Sequence, residues 1–438
     1  MWVLILTVPL TILGLNAFLA FAAWKLFAPR RKLQIAAAGT ALAGTALFAL
    51  ALVGFVRRLH DSAFFGFAWE YFGHAFVPVS YLALLAAAGM LAGKFFPKTQ
   101  RFKFHFAAIS VALVALACGI GFWKFEHPRV THLAWFPAQN RVEFFSEETE
   151  KRLAGTIDAA GAGTMDANGA NGAPTRKMRI VATADWHIGT RIDRSRAEKF
   201  VRLVNAQNPD VVLIAGDLID GPIAPLENER IDKVLRALRA PFGVIATLGN
   251  HEYYGNLARD KKFIRISDIR LLLDGNALID AGNGFKICFV GRDDATHRAR
   301  KPAAKIVTAA RAQLDAVEKT GVETGKTGAE TNAGTPENSV APRENASADA
   351  QKIPIFLLDH QPNGADEDVA AGADFVFCGH THDGQFWPAT WLVYLFNRYV
   401  NGLYFVAGTP IFVTSGIGLW HIPFRIGSSS ELVVIDVF

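Results

Sequence analysis

Residues 178–187 have the sequence MRIVATADWH, a short apolar run that ends in Asp185 and His187. The run has the continuous apolar character of a buried β-strand, and its two terminal polar side chains, two positions apart, point the same way. Four further polar blocks also follow short apolar runs: Gly216-Asp217, Gly249-Asn250-His251-Glu252, Asp359-His360 and Gly379-His380-Thr381-His382. Because ligand sites in α/β proteins gather at strand ends, the five blocks predict one shared site.

Imidazole and carboxylate side chains dominate these blocks, and they are the ligands that Zn, Mn and Fe accept. Five of the 12 histidines in the chain fall within the blocks. A single isolated histidine is more often a core residue, but this concentration favours ligands. The blocks therefore predict a pair of divalent metals.

The block order D-x-H, G-D, G-N-H-E, H and G-H-x-H resembles the calcineurin-like metallophosphoesterase superfamily over residues 178–437. The resemblance implies two divalent metals, of identity Mn, Fe or Zn, bridged by the carboxylate of Asp217. The other implied ligands are Asp185, His187 and His382 for metal 1, and Asn250, His360 and His380 for metal 2.

The resemblance also implies a reaction, the hydrolysis of a phosphoester or pyrophosphate bond by a hydroxide that bridges the two metals. His251 stands at the family position that donates a proton to the leaving group or stabilises it. Asp220 stands at the position of the carboxylate that orients this histidine; the alternative for Asp220 is a turn residue before Gly221-Pro222. The choice between monoester, diester and pyrophosphate stays open.

Two departures separate this chain from the protein-phosphatase branch, which has G-D-x-x-D-R-G and R-G-N-H-E. Gly221 and Leu248 stand where that branch has phosphate-clamping arginines, which argues against phosphoprotein phosphatase activity. Residues 379–385 and 415–418 resemble instead a membrane-anchored bacterial branch.

Alternation of strands and helices, followed by a strand-rich tail, predicts an α/β phosphoesterase domain over 177–438, with two packed β-sheets flanked by helices. The predicted strands are 178–184, 211–215, 243–248, 285–290, 353–358, 374–378, 411–414 and 432–437, and the predicted helices are 194–207, 227–239 and 303–318. Residues 125–176 are expected to form a connecting segment, with an edge strand within 129–145 and a low-complexity linker at 154–175. A disordered insertion is expected at 320–350, where apolar content is too low to offset ordering entropy.

The first quarter of the chain is markedly apolar, and it raises the mean hydropathy of the whole sequence to +0.21. Its four apolar stretches cover 2–24, 33–56, 76–93 and 105–123, each near the ~20 residues that cross a bilayer as a helix. They predict a multi-pass, four-helix transmembrane anchor over 1–124.

The basic residues between these stretches predict the orientation of the anchor. Lys25, Arg30, Arg31 and Lys32 follow the first stretch, and Lys94, Lys98, Arg101 and Lys103 follow the third, whereas only Arg57 and Arg58 follow the second. Cytoplasmic loops carry the excess of Lys and Arg. The expected location is therefore the cytoplasmic (inner) membrane, with the N-terminus and the catalytic domain on the extracytoplasmic side.

The expected partners are the lipid bilayer and a phosphate-containing small molecule or lipid. Residues 386–399, just past His382, are rich in Trp, Tyr and Phe, which suits either the membrane interface or the domain core. Nucleic acid is not expected, because no basic patch interleaved with aromatic residues lies near the blocks. The alternative function is a membrane sensor or binding protein that uses a catalytically silent phosphoesterase domain, and the oligomeric state stays open.

Overall fold

The computed structural model describes residues 2–27, 30–56, 63–145, 175–189, 192–320 and 352–438. The linker predicted at 154–175 and the insertion predicted at 320–350 lie outside these residues, except for their end residues 175 and 320.

Four long helices occupy the N-terminal quarter: α1 (Trp2–Leu26), α2 (Arg31–Val56), α3 (Ala63–Phe95) and α4 (Lys103–Glu126). In the described part of the chain, two segments are long and apolar enough to cross a membrane, Gly73–Phe95 and Pro97–Glu126. Large apolar side chains such as Leu91 and Leu116 are exposed along them. These segments indicate membrane association, but they do not confirm the four-span anchor predicted from the sequence.

Two large mixed β-sheets form the core of the remaining described residues, as the sequence predicts for an α/β domain, and β4 and β6 form a separate two-stranded sheet. The first sheet has the order β2-β1-β15-β3-β5-β7-β8 and the second has the order β13-β14-β12-β11-β10-β9. The strands are β1 (Arg129–Phe136), β2 (Arg141–Phe145), β3 (Met178–Thr183), β4 (Ile188–Gly189), β5 (Val211–Ala215), β6 (Ile219–Asp220), β7 (Val244–Thr247), β8 (Ile269–Leu271), β9 (Gly275–Asp280), β10 (Lys286–Gly291), β11 (Ile355–Leu358), β12 (Phe375–Cys378), β13 (Gly402–Val406), β14 (Thr409–Val413) and β15 (Glu431–Val437).

Helices flank both sheets. Their bounds are Arg194–Ala206, Ile223–Asn228, Ile231–Leu235, Asn250–Tyr254, Leu257–Ile266, Ala303–Thr320, Ala365–Ala370 and Ala389–Leu392. The sequence predicted a single helix at 227–239, whereas the structure has two short helices there. Arg230, with φ +56°, is in the left-handed region and interrupts the helical path between them.

The stretch 125–176, assigned from the sequence to a connecting segment, contributes two strands to the first sheet. β1 pairs in parallel with β15, and β2 pairs antiparallel with β1 at the sheet edge. Leu133 and Trp135 of β1 are buried in the core between the sheets. The pairing was invisible in the sequence because its partner strand lies about 300 residues further on, at Glu431–Val437.

The helical N-terminal region contacts the phosphoesterase domain at two places. The Tyr81 hydroxyl of α3 donates to the main-chain carbonyl of Trp387 over 2.5 Å, and the rings of Phe76 and Phe386 meet edge to face. At the end of α4, Phe125 is buried in the core on the outer side of the first sheet. α3 and α4 therefore pack against the domain rather than serving only as a tether.

Candidate metal centre

The five polar blocks converge where the strands of the two sheets end. β3, β5 and β7 lie side by side in the first sheet, and β11 and β12 lie side by side in the second. Left-handed backbone marks this edge: φ is positive at Asp185, His187, Asp217, His380 and His382, between +49° and +74°. Non-glycine residues adopt this region at a cost, and such residues concentrate at functional sites.

Asp185, His187 and His382 form the first group of candidate ligands, and all three are buried. The Nε2 atoms of the two histidines are 3.0 Å apart. Asp185 Oδ1 lies 3.9 Å from Nε2 of His187 and 3.6 Å from Nε2 of His382. Three potential ligand atoms thus face one small volume.

Asp217, His360 and His380 form the second group. The Nδ1 atom of His360 lies 2.8 Å from the carbonyl of Ala215, and donation to that carbonyl leaves Nε2 with its lone pair. That Nε2 atom is 3.2 Å from Asp217 Oδ2 and 3.1 Å from Asn250 Oδ1. With the amide oriented this way, three electron-pair donors meet, which suits a cation.

Asp217 lies between the two groups. Its Oδ2 atom is 3.2 Å from Nε2 of His360 in the second group and 3.7 Å from Nε2 of His187 in the first. Its other oxygen, Oδ1, accepts a hydrogen bond from the main-chain N–H of His251 over 2.9 Å. One carboxylate oxygen therefore faces both ligand groups while the other is held by the main chain.

Asp220 contacts two histidines. Its Oδ1 atom is 2.9 Å from Nδ1 of His251, and its Oδ2 atom is 3.5 Å from Nδ1 of His187. A carboxylate that accepts from Nδ1 fixes the tautomer and leaves Nε2 to act, a usual arrangement around metal ligands. The sequence predicted the first of these two neighbours and missed the second.

Gly249 allows the close approach of the Asp217 carboxylate. A Cβ atom at Gly249 would lie 2.1 Å from Asp217 Oδ1 and 2.5 Å from the Asp217 main-chain nitrogen. The glycine of the G-N-H-E block is therefore required for space rather than for flexibility.

Burial and mutual charge set the protonation of the candidate ligands. Burial and the neighbouring His360 lower the pKa of His380 to about 4, and burial with the charge of His187 holds the pKa of His382 well below its usual value. His360 behaves oppositely: burial lowers its pKa, but the charges of Asp217 and Asp185 outweigh this and raise it well above the usual value. The negative potential that would hold a proton there would equally attract a metal cation.

His251 has a raised pKa for a similar reason. Burial lowers this pKa, but the charges of Asp217 and Asp220 and the hydrogen bond that His251 donates to Asp220 raise it to about 9. Burial and the charge of Asp217 also raise the pKa of Glu252 to about 8, although its oxygens accept from the main-chain N–H groups of Ile219 and Gly249.

The structure brings together every residue that the sequence assigned to the site: Asp185, His187, Asp217, Asp220, Asn250, His251, His360, His380 and His382. Sequence reasoning missed Arg425, a buried residue whose guanidinium donates to the carbonyl of His382 over 2.9 Å. No motif marks this arginine; the only signal was a charged residue within an apolar tail at 419–426.

The donor atoms suit a pair of divalent cations. Each of the two ligand groups contains imidazole and carboxylate donors, and the Asp217 carboxylate lies near both groups. Such a combination is typical of binuclear metallohydrolase sites. Residues 178–384 match the model of the calcineurin-like phosphoesterase family. This match covers the same part of the chain as the resemblance found in the sequence, and it supports that resemblance.

Three relatives illustrate the similarity. A metallophosphoesterase of Caenorhabditis elegans is 31% identical over 268 residues, covering 59% of this chain and 48% of the relative. The transmembrane protein with metallophosphoesterase domain of Danio rerio is 30% identical over 264 residues, covering 59% and 52%. A metallophosphoesterase of Helicobacter pylori is 29% identical over 262 residues, covering 59% and 60%.

These relatives bear on the predictions only in part. Their names agree with the predicted enzyme class, metallophosphoesterase, and they occur in bacteria and in animals. The aligned region spans about half to three fifths of the length of these relatives. Membrane association is indicated by the apolar helices and by the name of the fish relative.

Proposed function

We propose that this protein hydrolyses a phosphoester or pyrophosphate bond with two divalent metals, at the outer face of a membrane. The observation that carries the proposal is the placement of Asp217 Oδ2 between the nitrogens of His360 and His187. Asp185, His187 and His382 would hold metal 1, Asn250, His360 and His380 would hold metal 2, and Asp217 would bridge them. Bound metals would supply Lewis acidity and an activated water at neutral pH.

The chain's own residues account for the remaining chemistry. Asp220 accepts from Nδ1 of His251, so that Nε2 can carry the proton that a leaving alkoxide needs. The charge of Asp220 and the hydrogen bond to it raise the pKa of His251, which favours the protonated ring. Asp217 fixes the main chain at His251 through its second oxygen.

The competing function is a membrane sensor or binding protein with a silent phosphoesterase domain. The complete set of candidate ligands favours an enzyme, because a silent domain has no need for every ligand. Hydrolysis of bis(p-nitrophenyl) phosphate by the purified full chain with added Mn²⁺ distinguishes the two. We expect metal-dependent turnover; the absence of turnover in protein that retains two metals would favour the sensor.

The proposed location is the cytoplasmic membrane, with four spans and the phosphoesterase domain outside. Contacts with that domain come from Phe76 and Tyr81 of α3 and from the end of α4. The α3–α4 connection lies well beyond Tyr81 along α3 and at the other end of α4 from these contacts, and Lys94, Lys98, Arg101 and Lys103 lie in it or beside it. Such basic loops stay in the cytoplasm.

A reporter fused after Phe438 tests this orientation. We expect alkaline phosphatase, which is active outside the cytoplasm, to be active in this position and a cytoplasm-dependent reporter to be silent. The reverse pattern would place the domain in the cytoplasm and leave the hydrolase proposal untouched.

An exposed aromatic segment next to the site supports a lipid-linked substrate. Residues 386–399 were expected to suit either the core or the membrane interface, and their large side chains are mostly exposed, including Trp391 at 65% and Phe396 at 80%. The main chain at Trp387 is hydrogen-bonded to Tyr81 of α3, a helix proposed to span the membrane. This contact places residues 386–399 beside α3, where Tyr81 lies within the apolar segment Gly73–Phe95. Trp and Tyr favour the interface between membrane and water.

Replacing Trp387 and Trp391 with Ser should impair turnover of a substrate that resides in a bilayer. The test compares bis(p-nitrophenyl) phosphate in solution with a p-nitrophenyl phosphodiester of a long alkyl chain in phosphatidylcholine vesicles, since both release the same phenolate. We expect a loss of about tenfold or more for the vesicle substrate, the scale set by losing a few kcal/mol of interfacial burial. Turnover of the soluble substrate should change little.

Phe144→Ser provides the matched control, because Phe144 is an exposed aromatic residue on the edge strand β2. It should leave both activities unchanged. Equal losses on both substrates for the double Trp variant, or loss of its folded structure, would contradict a membrane-facing role of this segment.

A further inference from the structure

Arg425 is a fully buried cation whose two terminal nitrogens donate to main-chain carbonyls, whereas its Nε has no hydrogen-bond partner among the described residues. Its guanidinium donates to His382 over 2.9 Å, to Gly418 over 2.6 Å and to Gly416 over 3.2 Å. Within the described part of the chain, no carboxylate lies within ion-pair distance of it. Burying a charge without an ionic partner is costly, and the hydrogen bonds to three carbonyls offset part of that cost.

The three carbonyls belong to two loops that carry or support ligands of metal 1. His382 is itself a candidate ligand. Gly418 donates its main-chain N–H to the carbonyl of Asp185 over 2.9 Å, and a Cβ at Gly416 would lie 2.6 Å from Cβ of Asp185. Arg425 therefore joins the main chain at His382 to the main chain that packs on Asp185.

The end of α4 holds the segment that contains Arg425. The main-chain N–H of Arg425 donates to the carbonyl of Gly121 over 3.0 Å. A Cβ at Gly121 would lie 2.6 Å from Cγ1 of Ile426 and 3.3 Å from the main-chain nitrogen of Arg425. Three residues further on, Lys124 Nζ lies 3.5 Å from the carbonyl of Ser428.

Two further contacts fix this end of α4 to the domain. Phe125 is buried in the core with Trp186, the residue between two candidate ligands of metal 1. Glu126 forms ion pairs with Arg196 and Lys199 of the helix Arg194–Ala206. The end of α4 is therefore held from several directions, and it can serve as a fixed support for the segment 416–428.

We propose that the end of α4 is a structural part of the metal site. It fixes the segment 416–428, and Arg425 within that segment is a positioning residue that sets the main chain at His382 and Asp185. The inference rests on the proposed function only in assigning metal 1 to these residues. Displacing α4 should loosen metal 1 even though no residue of α4 contacts it.

Two glycines in α4 provide a matched test in the full-length protein. Gly121→Ala adds a Cβ that meets Ile426 and Arg425, whereas Gly119→Ala adds the same group where nothing lies within 4 Å. Manganese retained per chain is measured by elemental analysis after dialysis against a graded series of chelator concentrations. We expect about 10- to 100-fold weaker retention of one metal in Gly121→Ala, the range found when outer contacts of ligands are lost, and unchanged retention in Gly119→Ala.

Hydrogen exchange provides a second reading that does not depend on bound metal or on activity. Amides of 379–387 and 416–428 should exchange faster in Gly121→Ala than in Gly119→Ala. Arg425→Lys should reproduce the weaker metal retention and the faster exchange, because one ammonium group cannot span three carbonyls. Arg179→Lys, which alters a guanidinium paired with Asp436 on β15, should change neither reading.

The outcomes are separable. Equal retention and equal exchange in the two glycine variants would overturn the coupling, as would an Arg425→Lys protein that matches the unmodified chain in both measurements. If the unmodified chain binds no metal, the proposed function fails, and the exchange measurements alone decide whether α4 supports these two segments.

Discussion

Asp217→Asn is expected to abolish hydrolysis and to release at least one of two bound metals. Asp217 Oδ2 lies between Nε2 of His360 and Nε2 of His187, at 3.2 and 3.7 Å. The substitution removes a negative charge from the position that two cations are proposed to share, so their mutual repulsion would no longer be offset. We expect the loss of activity to exceed ~10²-fold, beyond what the loss of an outer contact to a ligand costs.

Asp436→Asn is the matched control. Asp436 is a buried carboxylate on β15 of the first sheet, and it forms an ion pair with Arg179 of β3. Arg179 lies at the start of β3, whereas Asp185 follows the other end of this strand. The same change of carboxylate to amide there should cost stability but leave metal content and kcat unchanged. Elemental analysis after Mn²⁺ saturation and removal of free metal makes the comparison. An unmodified chain that retains no more than one metal would contradict the two-metal proposal directly.

The convergence of the site could be predicted because the ligands follow strands that the sequence marks clearly. The strands that carry the five blocks are short, apolar and central, so their pattern is set by burial on both faces. β3 and β5 illustrate this, since every residue of β5 is buried and β3 is buried at all but one position. Because these strands are neighbours within their sheets, the polar blocks that follow them fall at the same edge of the core.

The features that could not be predicted depend on partners distant in the chain. β1 pairs with β15, and Trp135 of β1 packs against Phe356 and Phe375 of the second sheet. Arg425 likewise acquires its position from contacts with Gly121 and His382. No local pattern of residues encodes such pairings, and the second contact of Asp220, with His187, escaped prediction for the same reason.

His251→Gln is expected to lower kcat by ~10²–10⁴-fold, the usual contribution of a general acid, while both metals remain bound. His251 is positioned by two carboxylates: Asp220 holds its Nδ1, and Asp217 holds its main-chain N–H. Glutamine keeps polarity and approximate length but cannot deliver a proton. The retained metal content also tests whether His187, Asp220 and His251, whose ligand atoms also lie close together, hold a metal instead.

Asp220→Asn separates the two duties of this carboxylate. Its Oδ2 atom lies 3.5 Å from Nδ1 of His187, a candidate ligand of metal 1, so this variant should weaken metal retention as well as lower kcat. His251→Gln should lower kcat alone. Finding weaker metal retention in both variants would show that His251 contributes to holding the metals, and would remove the distinction on which the proton-donor role depends.

The dependence on the leaving group decides the chemistry of His251. A p-nitrophenolate departs without a proton, whereas an alkoxide needs one in the transition state. The loss of kcat in His251→Gln should therefore be largest for alkyl phosphodiesters and should shrink steadily as the pKa of the leaving group falls. A deficit of the same size across leaving groups would mean that His251 stabilises charge on the phosphoryl oxygens instead. In that case its raised pKa, about 9, would act through the positive charge of the imidazolium rather than through transfer of its proton.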